Sequence, residues 1–551
     1  MIDLSLYSFG DDGETLARWQ LEAAALRTWA KDGGLCPLCN GENDGVLRIK
    51  SDGMGVESVA MLLEWLRNPA SRDFCLCQLI IITAQTGDEH DDTKQLMEQY
   101  ILPLYRFFAL RFVELARAGE LEEAGIVILQ DTREPYVLHT EGFYKLSDHL
   151  KRAGTVPQFG GEHRCAIKFK SFVCEYWLTH CLRLHGVYHI FGYNADEQGR
   201  AERCDTSIEK RNEQVQVAFG FNSEEGERAA RSDAAYTRRN SKKGEKAKED
   251  KKARLLIREE ISGETKFIAV YVPFRFKSDV ASAEVTHMAF GYNATEGKRA
   301  VRTTSHDTLI RVGFYPLLLW GWTRLQCLLF IFEILGVWWP KSACLYCPFN
   351  SEASKESEAG IARLKAHPAK NADALLVEYG SLCLNERGAL YNTKTLQSIV
   401  INNDLLEAYQ IFEAMLDRME FGLYEVKRVY SAPGVAARSV IRIAKGTRAE
   451  IAKEFARQTK RLKLKVRTER GINYGFFAER RAEYPAIEGF LVAAPAHIET
   501  KVRSDRFDLF EERYAKAAQG LGIRLPQLPG ATLINLQREQ PTLFFEEEIA
   551  A

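Results

Sequence analysis

Two pairs of cysteines are the side chains in this sequence whose spacing most directly suggests chemistry. Cys36 and Cys39 form one C-x-x-C pair, and Cys344 and Cys347 form a second. Two thiolates three residues apart can reach one metal ion, so such pairs are typical of metal binding or thiol redox chemistry. Twelve cysteines in 551 residues are too few for a disulfide scaffold. The pairs therefore predict metal or redox sites.

A turn with two glycines is a second candidate site. Residues 51–58 have the sequence Ser-Asp-Gly-Met-Gly-Val-Glu-Ser, between an apolar run that predicts a strand and another that predicts a helix. Glycines let the backbone approach a phosphate, and N–H groups at a helix N-terminus point at the anion. The turn is not a Walker A loop, because the ending Gly-Lys-Ser or Gly-Lys-Thr is missing. Taken alone, it is equally typical of a structural turn.

A thirteen-residue pattern occurs three times, at 191–203, 219–231 and 290–302. The copies share Phe, Gly, Asn, Glu and two Arg at the same positions, and their unequal spacing excludes a regular solenoid. Each copy follows an apolar run, which predicts a strand, a turn and a helix. The alternative is a duplicated structural unit whose Glu and Arg side chains pair on a helix surface.

Two basic stretches are candidates for contact with phosphates. Residues 237–254 contain nine Lys or Arg and three Asp or Glu, a composition that predicts a mobile, solvated loop or, alternatively, a nucleic-acid contact. Residues 461–467 alternate cations with apolar side chains. As a strand, this stretch would place four cations on one face and three apolar residues towards a core. Such a face suits phosphates, although lysines also protect a sheet edge from aggregation.

Short apolar runs predict the elements that position these residues. They lie at 46–49, 79–82, 126–129 and 187–190 and are separated by helix-length segments, which indicates βα units and a parallel sheet covered on both faces. The predicted fold class is α/β, with a doubly wound, mostly parallel sheet whose ligands bind beyond the carboxyl ends of the strands. The C-terminal residues predict a smaller α+β domain with a hairpin around 432–434 and a helix capped by Thr447.

Five segments, in order, resemble the adenine-nucleotide α-hydrolase superfamily, also called the PP-loop ATP pyrophosphatases, and within it the phosphoadenosine-phosphosulfate reductase-like branch. Residues 53–58 resemble the pyrophosphate loop SGGKDS, and residues 85–89 (Gln-Thr-Gly-Asp-Glu) are similar to D-T-G-x-E. Residues 164–168 resemble a Cys-Cys-x-x-x-Lys or Arg-Cys-x-x-x-Lys segment, and residues 192–200 a G-x-x-x-D-E-x-x-R turn. Residues 315–349 resemble the closing segments of reductase-like members found in phages and defence islands. The resemblance covers roughly residues 46 to 392.

This resemblance implies a PP-loop (HUP-like) domain that binds ATP with Mg²⁺, cleaves ATP between the α- and β-phosphates and adenylates a substrate. The implied nucleotide-binding residues are Ser51, Gly53, Gly55, Glu57, Ser58, Thr86, Gly87, Glu89 and Arg164. The implied catalytic residues are the cations Lys168, Arg200 and Arg299 and the carboxylates Glu197 and Glu296, with Arg302 as a further cation. Two positions depart from the family pattern, because Val56 stands where the loop lysine is expected and Glu57 where the aspartate is expected. A carboxylate beside the phosphates implies that Mg²⁺ lies between the two or that the loop has a different conformation.

True phosphoadenosine-phosphosulfate reductase activity is disfavoured, because the chain has no cysteine after Cys383 and so lacks the C-terminal Glu-Cys-Gly nucleophile. The remaining comparison is with ATP pyrophosphatases of sulfur transfer in DNA phosphorothioation and tRNA thiolation. The expected function is sulfur transfer to nucleic acid, DNA or tRNA, in DNA modification or phage defence, with a cysteine desulfurase as sulfur-donor partner. The alternatives are an adenylate-dependent ligase, as in 7-cyano-7-deazaguanine synthesis, and a non-catalytic nucleotide-binding assembly subunit, which Val56 favours.

The resemblance and the spacing together leave three metal arrangements open. Cys165 with Cys344 and Cys347 would supply three thiolates to a 4Fe–4S cluster, as in several members of the superfamily, with one iron open to sulfide. Alternatively, Cys36 and Cys39 join Cys344 and Cys347 in a tetrathiolate zinc site. The third arrangement is metal-free. Spacing alone does not choose between zinc and an iron–sulfur cluster.

Length and composition bound the remaining expectations. A chain of 551 residues predicts three or four domains, which we divide as a leader with its cysteine pair (1–45), two parts of the PP-loop domain (46–205 and 305–392), an insertion with the repeats (206–304) and the C-terminal α+β domain (393–551). Hydrophobic residues at 46% and charged residues at 27% exclude a disordered or fibrous chain, and a net charge of -1 gives no overall attraction to nucleic acid or membrane.

The sequence also predicts a cytoplasmic protein without a membrane segment. The first residues have no basic and apolar signal for secretion. The apolar stretch 314–339 is interrupted by Arg324 and Glu333. With Thr323 as N-cap and Gly336 after the last turn, it predicts a buried helix rather than a membrane span.

Overall fold

The structure is a computed structural model of the chain. It describes residues 3–8, 13–42, 47–157, 164–181, 187–190, 253–261, 264–272, 311–314, 316–348, 350–391, 394–432, 435–501, 507, 509–512 and 514–515. The chain divides into two compact units. The first unit comprises Met1–His149 and Gly160–Asn350, and the second comprises Leu150–Phe159 and Ser351–Ala551. Residues 351–392, which we assigned to the second part of the PP-loop domain, cluster with the C-terminal residues.

The first unit is built on an eight-stranded sheet. Its strands are β1 (Leu47–Ser51), β2 (Leu79–Gln85), β3 (Arg111–Arg117), β4 (Ile126–Thr132), β5 (Val187–Ile190), β6 (Ala253–Ile261), β7 (Glu264–Val272) and β8 (Arg311–Phe314). They lie in the order β7-β6-β4-β3-β2-β1-β5-β8. In the run β3-β2-β1-β5-β8, each strand is parallel to its neighbour, and β4 is parallel to β6. The pairs β3–β4 and β6–β7 are antiparallel. The α/β class is therefore confirmed, with a mixed sheet.

Helices lie before, between and after these strands. They are α1 (Gly13–Asp32), α2 (Val56–Arg67), α3 (Asp91–Leu96), α4 (Leu102–Phe107), α5 (Leu146–Ala153), α6 (Arg164–Ala166), α7 (Phe172–His180), α8 (Pro316–Leu319) and α9 (Arg324–Leu335). The π-helical turn Met97–Ile101 joins α3 to α4, and a second one, Ile167–Ser171, joins α6 to α7. Helix α5 crosses the boundary between the two units.

Apolar side chains cover both faces of this sheet. On one face, Ile81 of β2 packs in a core with Trp19 of α1, Leu63 of α2 and Ile331 of α9. On the other face, the alternate residue Ile82 packs with Trp177 of α7. Alternation along a strand thus supplies both cores, as expected for a sheet that helices cover on each side.

Strand β3 was not predicted from the sequence. Its charged residues Arg111, Glu114 and Arg117 recur every third position, a spacing more typical of a helix than of a buried strand. In the structure Glu114 and Arg117 are both buried. The guanidinium of Arg117 donates to the carbonyl oxygens of Gly119, Lys168 and Glu120, so its burial is compensated by hydrogen bonds.

The predicted caps of α9 are confirmed. Thr323 is the N-cap in a capping box with Gln326, and Gly336 ends the helix with a left-handed φ of 67°. The predicted helix is present and buries one face, including Ile331 and Ile334, whereas Leu325 on the other face is 61% exposed. Among the described residues, no helix has the length and apolar character needed to cross a membrane.

The second unit contains a five-stranded antiparallel sheet in the order β10-β9-β13-β12-β11. Its strands are β9 (Glu420–Ala432), β10 (Val435–Thr447), β11 (Lys465–Glu469), β12 (Ile472–Ala478) and β13 (Ala486–Pro495). Its helices are α10 (Ser351–Ser354), α11 (Glu358–Ala366), α12 (Pro368–Leu384), α13 (Leu396–Asn402), α14 (Leu406–Arg418) and α15 (Arg448–Arg461). The predicted hairpin and the Thr447 cap are both present.

The predicted basic face at 461–467 is wrong. Helix α15 extends through Arg461, Lys463 takes a left-handed φ of 52°, and the strand begins only at Lys465. Strand β11 is an edge strand, and Val466 is 49% exposed instead of packing in a core. Lys465 lies 3.0 Å from Glu479 and Arg467 pairs with Glu386. This arrangement fits an edge strand protected by charges.

Candidate functional site

The turn at residues 51–58 follows an interior strand of the larger sheet. Strand β1 ends at Ser51 and helix α2 begins at Val56. Outward from β1, the order runs through β2 and β3 on one side and through β5 and β8 on the other. The turn therefore follows the strand at which the order reverses, which is where open α/β sheets bind ligands.

Hydrogen bonds within the turn hold its backbone in place. The Met54 N–H donates to Asp52 Oδ1 at 2.9 Å, and the Gly53 N–H donates to Ser58 Oγ at 3.3 Å. Asp52 also accepts a hydrogen bond from the Tyr105 hydroxyl, and its Oδ2 lies 3.2 Å from Lys50 Nζ. Burial lowers the pKa of Lys50, although the neighbouring Asp52 opposes this shift. The buried pair anchors the turn to strand β1.

Residues that follow helix α9 cover one side of the turn. The Trp339 Nε1–H donates to the Met54 carbonyl oxygen at 3.0 Å. A Cβ atom at Gly55 would lie 2.7 Å from Ser342 Oγ, so any larger residue there would displace Ser342. Gly53, in contrast, is exposed and has open space beside it. An anion would therefore reach the turn from the Gly53 side.

Glu57, which the resemblance places at the nucleotide, is ion-paired in the structure. Its Oε1 accepts a hydrogen bond from Arg324 Nη1 at 2.6 Å. The Arg324 side chain is 35% exposed and lies beside the first turn of α2. Sequence reasoning missed this cation, which supplies positive charge next to the turn where Val56 replaces the expected lysine. The Trp-Gly-Trp-Thr-Arg segment contains it, and that segment was the available signal.

A second turn, after strand β2, is shaped by three of the predicted binding residues. Glu89 Oε1 accepts hydrogen bonds from the Thr86 hydroxyl at 2.8 Å and from the Thr86 N–H at 3.2 Å. Gly87 has a φ of 83°, and a Cβ there would lie 2.7 Å from the Glu141 carbonyl oxygen. The turn thus requires glycine at this position, and Glu89 stabilises its conformation.

The second cysteine pair packs against this turn. Cys344 forms a β-bridge with Glu89, and its Sγ lies 3.2 Å from Thr86 Oγ1. The Leu345 N–H donates to the Asp88 carbonyl oxygen at 3.0 Å. Burial raises the pKa of the Cys344 thiol, and the carboxylate of Glu89 adds to this rise.

A lysine that the sequence did not single out lies within electrostatic reach of three thiols. Burial lowers the pKa of Lys170, but Cys344, Glu89, Cys347 and Cys165 outweigh this effect and the net shift is upward. Cys165 also interacts electrostatically with Cys347. The three predicted thiols therefore all interact electrostatically with Lys170.

The other predicted cations have different surroundings. Lys168 is half-buried and its carbonyl oxygen accepts a hydrogen bond from Arg117 at 2.9 Å, while Arg164 is exposed at the start of α6. The repeat-borne candidates lie outside the described residues; they are Glu197, Arg200, Glu296, Arg299 and Arg302. The three repeats and nearly all of the basic stretch 237–254 lie there too.

The first cysteine pair has different partners from those predicted. Cys36 and Cys39 lie with Cys75 and Cys77, and the four sulfur atoms are all within 4.8 Å of one another. The predicted zinc site with Cys344 and Cys347 is therefore wrong. The C-x-C pair 75–77, placed just before β2, was the missed signal. This four-cysteine group can hold a metal ion. Among the described residues, it is the only group of three or more Cys, His, Asp or Glu side chains arranged closely enough to do so.

No family model matches the chain, and neither a curated protein nor a solved structure matches it. The resemblance of the five segments therefore remains a prediction.

Proposed function

We propose that this protein is a PP-loop ATP pyrophosphatase-like enzyme. In this proposal ATP binds at residues 51–58, and the substrate attacks the α-phosphate and displaces pyrophosphate. AMP leaves in a second step, when the sulfur nucleophile attacks the adenylated substrate. The observation that carries the proposal is the position of the glycine turn, between β1 and the N-terminus of α2 at the reversal of the strand order. A helix N-terminus at that position favours an anionic ligand.

The described residues supply part of the charge that the reaction needs. Cleavage between the α- and β-phosphates develops negative charge on the departing pyrophosphate, which oriented N–H groups and cations stabilise. The N–H groups at the start of α2 have no acceptors within the helix. Arg324 is a partly exposed cation that contacts the turn through Glu57, and ATP would compete with Glu57 for its guanidinium. Mg²⁺ would then neutralise the added carboxylate charge.

Sulfur transfer is the reaction that the second cysteine pair supports. Cys165, Cys344, Cys347 and Glu89 all interact electrostatically with Lys170, yet the three thiols do not form a group with sulfur atoms within 4.8 Å of one another among the described residues. In this proposal they hold a 4Fe–4S cluster, as the family resemblance implies. Such a cluster, when bound, would supply an open iron for sulfide, with Lys170 balancing the thiolate charge.

The acceptor proposed for the sulfur is nucleic acid, DNA or tRNA, with a cysteine desulfurase as donor. Because the basic face at 461–467 is not present, this part of the proposal depends on the family resemblance and on the basic stretch 237–254. A ligase of the deazaguanine type would use the same adenylate without iron. A non-catalytic assembly subunit would bind ATP without turnover.

Product analysis tests the proposal. Anaerobically purified protein would be incubated with Mg²⁺ and radiolabelled ATP, with and without plasmid DNA, bulk tRNA and a desulfurase with cysteine. We expect AMP and pyrophosphate. Formation of ADP would contradict cleavage at the α-phosphate, and ATP binding without products would favour the assembly subunit.

A matched pair of variants locates the activity. Gly55→Ala should lower AMP formation at least tenfold, because the new Cβ would lie 2.7 Å from Ser342 Oγ and distort the turn. Gly13→Ala, with open space around it, should keep full activity. Equal activity in both variants would place ATP cleavage elsewhere in the chain.

A further inference from the structure

The four-cysteine group joins two segments that are distant in the sequence. Cys36 and Cys39 follow helix α1, whereas Cys75 and Cys77 lie around the 3₁₀ turn Leu76–Gln78 that leads into β2. Cys36 Sγ lies 3.8 Å from Cys75 Sγ, and Cys39 Sγ lies 3.8 Å from Cys77 Sγ. We propose that these four cysteines bind one zinc ion in a closed structural site.

The sulfur–sulfur distances fit a single tetrahedral ion. With Zn–S bonds of about 2.3 Å, the sulfur atoms at two corners of a regular tetrahedron lie about 3.8 Å apart. This is the distance from Cys36 Sγ to Cys75 Sγ and from Cys39 Sγ to Cys77 Sγ. A disulfide would need sulfur atoms about 2.05 Å apart. A four-iron cluster would bind each thiolate to a different iron and hold the sulfur atoms farther apart. One ion within the group satisfies all four thiols.

The backbone at the first pair has the form of a metal-binding knuckle. The N–H groups of Cys39 and Asn40 both donate to the Cys36 carbonyl oxygen, at 3.3 and 2.7 Å. Asn40 and Gly41 then take left-handed φ angles of 49° and 76°. This tight reversal brings both thiols to one side of the turn. The Leu38 N–H also donates a hydrogen bond to the Cys36 sulfur.

Arginine side chains interact with the four-cysteine group and would offset the negative charge of four thiolates. Zinc with four thiolates carries a net charge of −2, which needs cations when it is partly buried. Arg72 interacts electrostatically with Cys75, and Arg133 with Cys77. The Arg133 guanidinium is held over the Trp29 ring, 4.8 Å from its centroid. Arg72 also pairs with Glu22 at 3.4 Å, so Arg133 is the cation of the two that has no ion pair with a described carboxylate within 4 Å.

Packing alone does not explain why the first pair is held here. Between residues 31 and 42, Cys36 is the one buried residue, and Leu35 is 75% exposed. A segment with so little buried apolar surface cannot offset the entropy of ordering its backbone. A metal ion would supply that free energy, as in other structural zinc sites. With all four positions filled by protein, the ion has no open site for a substrate.

Metal analysis of the reduced, full-length protein tests this inference. We expect one zinc per chain and, after replacement by Co²⁺, the thiolate charge-transfer and d–d absorption of a tetrahedral four-sulfur site. Cys75→Ala with Cys77→Ala should lose this zinc, whereas Cys344→Ala with Cys347→Ala and the matched core control Cys174→Ala should retain it. Zinc that persists in the first variant, or iron bound in its place, would overturn the proposal.

A second measurement avoids dependence on the folding of the variants. Titration of the unmodified protein with a mercurial reagent should release zinc, detected by a dye, in proportion to the reaction of four thiols. Release that needs fewer than four thiols, or no zinc at all, would contradict the site. Because neither experiment uses ATP, failure of the zinc site and failure of the proposed enzyme activity are distinguishable.

Discussion

Glu114 is a buried carboxyl group at the centre of the larger sheet. It accepts hydrogen bonds from the side-chain amides of Gln85 at 2.7 Å and Gln130 at 2.6 Å, and from the His139 N–H at 2.8 Å. Burial nevertheless dominates and raises its pKa from 4.5 to about 8. In the folded protein Glu114 therefore binds its proton at pH values where the unfolded chain has lost it.

This shift predicts that the first unit loses stability as the pH rises. Between pH 4.5 and 8 the folded state holds a proton that the unfolded state releases, so the unfolding free energy should fall by up to about 1.4 kcal/mol per pH unit. Glu114→Gln should flatten this dependence, whereas the exposed control Glu134→Gln should not. Urea unfolding from pH 5 to 8 measures it, and a slope unchanged in Glu114→Gln would contradict the assignment.

Helix α9 connects the covering segment of the glycine turn to the core. It carries Arg324 at its first position and is followed by Trp339, whose Nε1–H donates a hydrogen bond to the Met54 carbonyl oxygen. Its start is fixed locally, since Gln326 Oε1 accepts from the Thr323 N–H at 2.7 Å and from the Thr323 hydroxyl at 2.9 Å. The cap therefore helps to position the residues that contact the turn.

Removal of this cap should have a measurable cost. Thr323→Ala should lower the unfolding free energy of the first unit by about 1 kcal/mol, because the helix N-terminus loses its side-chain acceptor. Thr323→Ser keeps an oxygen and should lose less than half of that. Urea unfolding would be compared for the three proteins, and equal losses in both variants would show that the cap does not contribute.

For the whole molecule, tryptophan fluorescence reports on the first unit alone. All eight tryptophans lie in its sequence ranges: Trp19, Trp29, Trp65, Trp177, Trp320, Trp322, Trp338 and Trp339. A fluorescence transition therefore measures the unit that contains the glycine turn, without a signal from tryptophan in the second unit.

Nucleotide binding can therefore be measured as an increase in the unfolding free energy of the first unit, followed by tryptophan fluorescence. A non-hydrolysable ATP analogue with Mg²⁺, at 100 times its Kd, should raise the unfolding free energy of the first unit by about 2.7 kcal/mol, because it binds only the folded state. Gly55→Ala should abolish this gain. The absence of any gain in the unmodified protein at millimolar analogue would contradict ATP binding.

Local features were determined by the sequence itself. Apolar runs located β1, β2, β4 and β5, and the side chains at Thr323 and Thr447 located two helix starts. These features depend on residues within a few positions of one another, since strand periodicity and capping are short-range effects.

Tertiary structure alone decided which distant residues meet. It paired the Cys36 knuckle with Cys75 and Cys77 instead of Cys344 and Cys347, and it brought Lys170 within electrostatic range of Cys165, Cys344 and Cys347. It also buried Glu114 within a strand that the sequence did not predict, where hydrogen bonds from Gln85, Gln130 and His139 satisfy its carboxyl group. Spacing along the chain limits such contacts but does not select among them, because the order and packing of the strands bring the partners together.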